Sequence, residues 1–226
     1  WHAYEIYWLD SAGKPNIRIG EFFFNAESEN LVESKSLKLY LNSINNEKFA
    51  KEADVQQRIT EDLSKISQSE VKVVLLPAEN SESSDLSARV GRSIDKESIS
   101  VIDGEPDESF LKIGDDLVFD EELYSDLFRS NCPVTGQPDW ASFQIEYTGP
   151  KIDRGSLLQY LCSYRNHQGY HEECCERVFR DISLKCRPTD LTISLNFLRR
   201  GGLDINVYRS SQVMTSDLVK PRLGRQ

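Results

Sequence analysis

The chain has no apolar run long enough to cross a membrane and no signal-peptide pattern at its start. Positive charge is in deficit as well, with 27 Lys and Arg against 37 Asp and Glu and a formal net charge of −10. That balance argues against a nucleic-acid surface as the main function, because neutralising phosphates needs clustered cations; a single basic pocket stays open. The cysteines are few and odd in number: Cys132, Cys162, Cys174, Cys175 and Cys186. An odd count with one vicinal pair argues against a disulfide framework and for reduced thiols in a cytoplasmic protein. No GxGxxG follows a strand and no Walker phosphate loop occurs, so any dinucleotide is bound outside a Rossmann fold. GxSxG, CxxC and HExxH are missing too, which removes the serine-hydrolase elbow and weakens the case for zinc.

What is present is ordinary in bulk and specific in places. At 226 residues the chain can form one large or two small domains with a real core. It opens on "WHAYEIYWLD", strand-like in its alternation and without an initiator Met, so a segment upstream is expected. The pattern predicts strands over 3–9 and 16–25, a helix over 34–50, a second helix over 54–67 and a strand over 71–78. From about 78 to 112 the residues turn polar and rich in Ser, Asp and Glu, as a linker or solvated loop does. Beyond it the pattern predicts a short helix over 119–129, a strand from Trp140, two helical stretches, and strands at "DLTISLNFL" and "LDINVYR".

The order strand, strand, helix, helix, strand thus occurs twice. Laying "ESKSLKLYLNSINN" (33–46) over "DRGSLLQYLCSYRN" (153–166) gives six identities in fourteen positions, Tyr40 over Tyr160 among them. Downstream, "ITEDL" lies over "VFRDI". Two amphipathic helices can match by chance; the shared element order favours duplication. Each half then reads as antiparallel strands with a helix pair over one face, an α+β arrangement that gains burial by joining a neighbour, so a dimer or larger ring is expected.

Four patches carry residues suited to chemistry. In "NCPVTGQPDW", Cys132 lies in a turn stiffened by two prolines, a glycine and an asparagine, with Asp139 seven residues on. A lone cysteine is ordinarily a small buried hydrophobe, but a rigid turn is a poor place for packing and a good one for a nucleophile. Asp139 is then its proton-transfer partner, or an aspartate that caps the turn. In "RNHQGYHEECCERVF", His171 and Glu172 precede a helix. They either begin the helix, where acidic residues suit the dipole, or hold a ligand, since a carboxylate accepts two parallel bonds from a guanine-like edge. In "VESKSLKLYLN", Lys35 and Lys38 share a first helical turn, where lysine is disfavoured and free N–H groups suit an anion. Lys35 is therefore kept for a ligand phosphate or belongs to a solvated face. In "RRGGLDIN", the glycines let a backbone approach a ligand beside an Arg, or simply make a turn.

Together "ESKSLKLYLNS", "NCPVTGQPDWA", "RNHQGYHEEC" and "RRGGLDIN" resemble the signatures of the NADPH-dependent 7-cyano-7-deazaguanine reductases of queuosine biosynthesis, a route to a modified tRNA base. The resemblance spans essentially the whole chain and is closest to the long, two-module branch. It implies two tandem tunnelling-fold (T-fold) modules, related to GTP cyclohydrolase I, in a cytoplasmic homodimer. The boundaries it suggests are 1–78 for a first module lacking its start, 79–118 for a linker and 119–226 for a second module bearing the cysteine.

By the same resemblance, Cys132 is the nucleophile that forms a covalent thioimide with the substrate nitrile, and Asp139 gives the nitrile nitrogen its proton. His171 and Glu172, with Val32, Glu33 and Ser34, are expected to hold 7-cyano-7-deazaguanine. Ser34 and Lys35, with Arg200 and Gly201, are expected to contact NADPH. No metal, nucleic acid or membrane enters the expected reaction. The chain departs from the pattern at "DRGSLLQY", which should not make a second complete cofactor site, and at Val207, where proline is expected. The vicinal Cys174 and Cys175 have no assigned role. The rival enzyme reading is a T-fold hydrolase acting on a purine or pterin, with zinc on Cys132, His171 and Cys174 or Cys175. A non-enzymatic reading is a deazaguanine-binding module that has lost activity, against which the retention of both Cys132 and Asp139 argues.

Overall fold

Alternation in the first two dozen residues becomes a strand pair, β1 (His2–Leu9) against β2 (Pro15–Phe24), antiparallel with a bulge between Ala3 and Ile6. The bulge shifts the inward parity, so Ala3, Ile6 and Trp8 all reach the core from one strand. The computed structural model describes residues 1–77, 90–100, 105–214 and 226. The chain divides into two units, Trp1–Asp85 with Arg199–Asp204, and Leu86–Leu198 with Ile205–Gln226.

In the first unit, β3 (Val71–Pro77) and a two-residue strand β9 (Leu203–Asp204) complete an antiparallel sheet in the order β3-β2-β1-β9. Helices α1 (Ser34–Ser43) and α2 (Glu52–Ser67) supply the other layer. Leu37 and Leu41 on α1, and Val55, Ile59 and Leu63 on α2, recur at the four-residue spacing that aligns one helical face, and all five are buried with Phe22, Val71 and Val73. Helix α1 stops at Ser43, short of the expected 50, and the chain then bridges back to β1 through Leu9 N–H to Glu47 O and Phe49 N–H to Leu9 O, both 2.9 Å.

In the second unit, the sheet order is β10-β8-β7-β5-β4, from β4 (Arg92–Ser93), β5 (Ile113–Ser125), β7 (Pro138–Ile152), β8 (Asp190–Phe197) and β10 (Asn206–Ser210), with β6 (Arg129–Asn131) paired to β7. All its pairs are antiparallel except β4 with β5. Helices α3 (Arg154–Cys162) and α4 (His171–Cys186) cover it. Leu157, Leu158 and Leu161 of α3, and Cys174, Cys175, Val178, Ile182 and Cys186 of α4, pack on Phe143, Ile145, Ile193 and Leu195.

The residues expected to form a helix over 119–129 belong instead to β5, the turn after it and the first residue of β6. Glu and Leu favour a helix locally, but the pairing of Glu121–Ser125 with Phe143–Tyr147 and the burial of Leu123 and Ser125 at a spacing of two decide for strand. The expected linker 79–118 is likewise replaced where the residues are described. Ile94 and Leu111 are core residues of the second unit, and Glu108–Phe110 form a 3₁₀ turn against α3 and α4. Residues 78–89 and 101–104 of that stretch lie outside the described residues. Arg199–Asp204, expected in the second module, group with the first unit.

Each helix pair is tied by the same three residue types. The Tyr40 hydroxyl donates to Asp62 Oδ2 at 2.7 Å and Arg58 Nε meets the same oxygen at 2.7 Å. In the second unit the Tyr160 hydroxyl donates to Asp181 Oδ2 at 2.7 Å, and Arg177 Nε lies 3.7 Å from that oxygen. The aligned positions therefore do aligned work. The environments differ: Tyr160 and Asp181 are buried, whereas Tyr40 and Asp62 are half-buried. Removing a buried hydroxyl that satisfies a buried carboxylate costs more than removing one that water can replace. Tyr160→Phe should therefore lower stability by about 1–2 kcal/mol and Tyr40→Phe by roughly half that or less, as read from urea unfolding. Equal losses would show that burial does not set the cost.

Candidate active site

The turn that carries Cys132 is the end of the β6–β7 hairpin. Cys132 N–H donates to Gln137 O and Gly136 N–H donates to Cys132 O, both at 2.8 Å. Gly136 sits at φ +68°, a left-handed conformation that favours glycine, so this residue closes the turn. In β6 and β7, Ser130 pairs with Asp139 and Asn131 with Pro138. As a cross-strand pair Ser130 and Asp139 share one face of the hairpin, and Cys132 follows two residues beyond Ser130, where the turn begins.

The loop before α4 is laced to the same hairpin. Asn131 N–H donates to His167 O at 2.8 Å, and Gly169 N–H donates to Asn131 O at 3.2 Å. Asn131 immediately precedes Cys132, so the loop that leads to His171 and Glu172 is fixed against the strand that leads to the thiol. Gly169 is small for a reason: a Cβ there would lie 3.0 Å from His167 Nε2 and 3.2 Å from Cys174 Sγ. His171 Nε2 lies 3.3 Å from Asp139 Oδ2, and its ring stacks on Phe197 at 3.9 Å between centroids and 16° between planes. Asp139 is only 7% exposed. Glu172 and Glu173 occupy the first turn of α4, where negative charge suits the helix dipole.

The second unit therefore brings Cys132, Asp139, His171 and Glu172 onto one hairpin and the helix start laced to it. Phe197, the platform under His171, went unrecognised in the sequence, where it is one apolar residue in a strand of them. Asn131 and Gly169 act through their backbones, which leaves little trace in residue type.

The remaining cysteines are packing residues or half-buried. Cys174, Cys175 and Cys186 are buried on the inner face of α4, and Cys162 is half-buried. Burial raises all four thiols, Cys174 and Cys186 each to about 12. The vicinal pair thus belongs to the core. The set that would hold zinc in the hydrolase reading is not assembled: among the described residues, no three His, Cys, Asp or Glu side chains are grouped as a metal site.

In the first unit, Val32 is buried and Glu33 caps α1. Glu33 Oε1 accepts from Lys35 N–H at 2.8 Å, and Oε2 accepts from Ser36 N–H at 2.7 Å and Ser36 Oγ at 2.9 Å. Burial pushes this carboxyl up, but those bonds and the Lys38 charge win and hold it below the usual range. The N–H groups of Lys35 and Ser36, expected to be open to a ligand anion, are therefore taken by Glu33. Lys35 and Ser36 are exposed and Ser34 half-buried.

Arg200 and Gly201 form a tight turn, with Arg200 N–H to Leu203 O at 2.8 Å and Leu203 N–H to Arg200 O at 3.2 Å. Gly201 and Gly202 adopt φ +57° and +78°, the left-handed pair that a two-residue hairpin turn requires. The turn reading alone thus accounts for both glycines. It leaves room for a cation as well, since a Cβ on Gly201 would lie 3.3 Å from Lys38 Cε.

Residues 1–75 match the family described as "Nitrile reductase, 7-cyano-7-deazaguanine-reductase N-term", and residues 138–216 match the one described as "QueF-like protein". The chain is 47% identical over 230 residues to the NADPH-dependent 7-cyano-7-deazaguanine reductase of Desulfotalea psychrophila, covering 100% of this chain and 82% of that protein. It is 50% identical over 211 residues to the enzyme of the same name from Coxiella burnetii, covering 93% and 75%. A crystal structure of the archaeosine synthase QueF-Like in the apo form aligns with TM-score 0.39 and 18% identity over 45% of this chain, a likeness too slight to bear on the fold.

The burial pattern makes thiol reactivity site-selective. A thiol held near 12 is almost wholly protonated at neutral pH, and the thiolate is the reactive form. In the native protein at pH 8, iodoacetamide should modify Cys132 at least about a hundredfold faster than Cys174, Cys175 or Cys186, as read by peptide mass mapping. Comparable rates at all four would overturn this account of the core.

Proposed function

From a chain that belongs to the NADPH-dependent 7-cyano-7-deazaguanine reductase family, we infer that Cys132 is the nucleophile and Asp139 the proton-transfer group of its reaction. The chain is an oxidoreductase of queuosine biosynthesis that reduces the nitrile of 7-cyano-7-deazaguanine at the expense of NADPH. The observation that carries the residue assignment is the hairpin itself, with a buried Asp139 on β7 against His171 and Cys132 in the turn that closes the same hairpin.

A nitrile carbon is a weak electrophile, and covalent attachment converts it to a C=N that accepts hydride more readily. Cys132 Sγ forms the new bond to carbon while the nitrile nitrogen gains a proton from the Asp139 carboxyl. The thiol's own proton replaces it on Asp139, so the addition is neutral overall and no full charge develops on nitrogen. His171, held flat on Phe197, fixes the Asp139 oxygen it faces. A reduced nicotinamide would supply one hydride each time it is bound, so two NADPH molecules in succession take the nitrile to the amine. The carbon–sulfur bond breaks once the carbon is reduced, and its electron pair returns to Cys132 Sγ.

Glu172 and His171 are assigned to the polar edge of the deazaguanine, where a carboxylate accepts two parallel N–H bonds. Val32, Glu33 and Ser34 carry the same assignment in the first unit. Ser34, Lys35, Arg200 and Gly201 are assigned to NADPH. The fit of that group is supported by Lys38 lying against the Gly201 turn, because a cation beside an exposed glycine backbone suits a phosphate. The two units are read as tandem T-fold modules, supported by the shared element order and by the aligned Tyr40–Asp62 and Tyr160–Asp181 ties. A cytoplasmic homodimer is the proposed setting. Exposed Leu117 and Phe119 on β5 suit an assembly surface, and among the described residues no helix is long and apolar enough to cross a membrane.

Mixing the protein with 7-cyano-7-deazaguanine and no NADPH should add the mass of one substrate to the intact chain, and Cys132→Ala should add none. A correctly folded wild type without the adduct would sink the covalent mechanism. Asp139→Asn should bind substrate yet turn it over roughly 10²- to 10⁴-fold more slowly, the usual range for a lost general acid. Full activity in that variant would remove Asp139 from its role.

A further inference from the structure

The "RRGGLDIN" motif contains one acidic residue, and the reaction leaves it unused. Asp204 is 0% exposed, three residues beyond Gly201. Its Oδ1 lies 2.6 Å from His2 Nδ1, and its Oδ2 accepts from the Tyr4 hydroxyl. A carboxylate only accepts, so the His2 Nδ1 carries a proton in this pair. His2 Nε2 in turn lies 3.6 Å from Glu21 Oε1 on β2.

The clasp holds the turn. Strand β9 pairs with β1 through only two residue pairs, His2 with Asp204 and Ala3 with Leu203, too short a ladder to fix a turn by itself. Tyr4 N–H donates to Gly202 O at 3.0 Å, so the residue that grips Asp204 with its side chain grips the turn with its backbone. Tyr4 also lies beneath Arg199, whose guanidinium carbon is 4.4 Å from the ring centroid. Burial, the largest single influence, would neutralise both groups, yet His2 is raised by Asp204 and Glu21 together and Asp204 lowered by His2, Tyr4 and the N-terminal charge together. An apolar pair would serve stability as well as a buried ion pair does. What a carboxylate with two directed partners adds is orientation.

We propose that Asp204 is a positioning residue for the reductant: by clasping His2 and Tyr4 it holds the Arg200–Gly201 turn in the shape that receives NADPH. This rests on the assignment of Arg200 and Gly201 to NADPH, and the test separates the two. In the full chain, Asp204→Asn, Tyr4→Phe and Arg200→Ala are compared for the KM of NADPH, for kcat, and for the NADPH-free mass adduct with 7-cyano-7-deazaguanine. Asp204→Asn should raise the NADPH KM about tenfold and Tyr4→Phe roughly threefold, with kcat changed less and adduct formation within about twofold of wild type. Tyr4→Phe decides the matter if Asp204→Asn fails to fold. An Arg200→Ala effect without any effect of the clasp variants overturns the positioning role. Adduct formation falling in step with NADPH binding also overturns it, since that is general loss of structure. No effect of Arg200→Ala overturns the assignment of the turn itself, and the inference with it.

Discussion

Two backbone hydrogen bonds at Asn131 hold the second unit's chemistry together. One strand residue accepts from Gly169 and donates to His167, so the loop entering α4 is sewn to the hairpin entering the Cys132 turn. Everything directional at the site follows from that seam. His171 reaches Asp139 because α4 begins where the loop lets it begin, and Phe197 then fixes the ring's plane. A seam of main-chain bonds is indifferent to residue type except where a side chain would intrude. Gly169 is that exception, pressed between an imidazole and a thiol. Positioning by backbone leaves the side chains free for chemistry, as precise sites require.

The five thiols show how environment separates one residue type into different jobs. Those on α4 repeat at helical spacing along the buried face and behave as small hydrophobes whose ionisation burial suppresses. Cys132 lies outside that stripe, on a turn whose shape comes from its glycine and its closing hydrogen bonds. Asp139, on the strand that leaves the same turn, is buried but not stranded, with His171 in reach. A carboxylate in such a place can exchange a proton with a neighbour at little structural cost, whereas a buried thiol without an acid–base partner cannot.

Much of this was legible in the residues, and what was not has a common cause. The strand pair at the start and all four helices show in apolar spacing, because a helix or a half-buried strand writes its period locally. The failure at β5 came from the opposite situation: acidic residues and leucine favour a helix, and only pairing with β7, some twenty to forty residues away, makes a strand of them. The polar stretch before it hides Ile94 and Leu111, single apolar residues whose burial depends on that same sheet. Cys132, Asp139, His171 and Glu172 stood out by type and spacing. Phe197 did not, and neither did the cap on α1, since glutamate is an uncommon N-cap whereas Asp153 at the aligned position of α3 is a usual one. The His2–Asp204 pair spans 202 positions and has no local signature at all.

Three carboxylates in this acidic chain share one physical logic. Glu33 is held by the N–H groups of Lys35 and Ser36, Asp139 by His171, and Asp204 by His2 and Tyr4. Each is a carboxyl group placed where its neighbours leave it little rotational freedom, and each lies in a stretch that the resemblance to the reductases singled out. A loose carboxylate would have to be oriented during binding or reaction, and the free energy of doing so would come out of affinity or rate. A carboxylate already locked by its own protein meets the ligand with that ordering done. The partners also set limits. Glu33 already accepts three hydrogen bonds, so a ligand N–H at its carboxylate must share oxygens with the first turn of α1. Recognition at that residue is therefore coupled to the integrity of the helix start, and a ligand that pulled the carboxylate away would unpin the helix that presents Lys35 and Lys38.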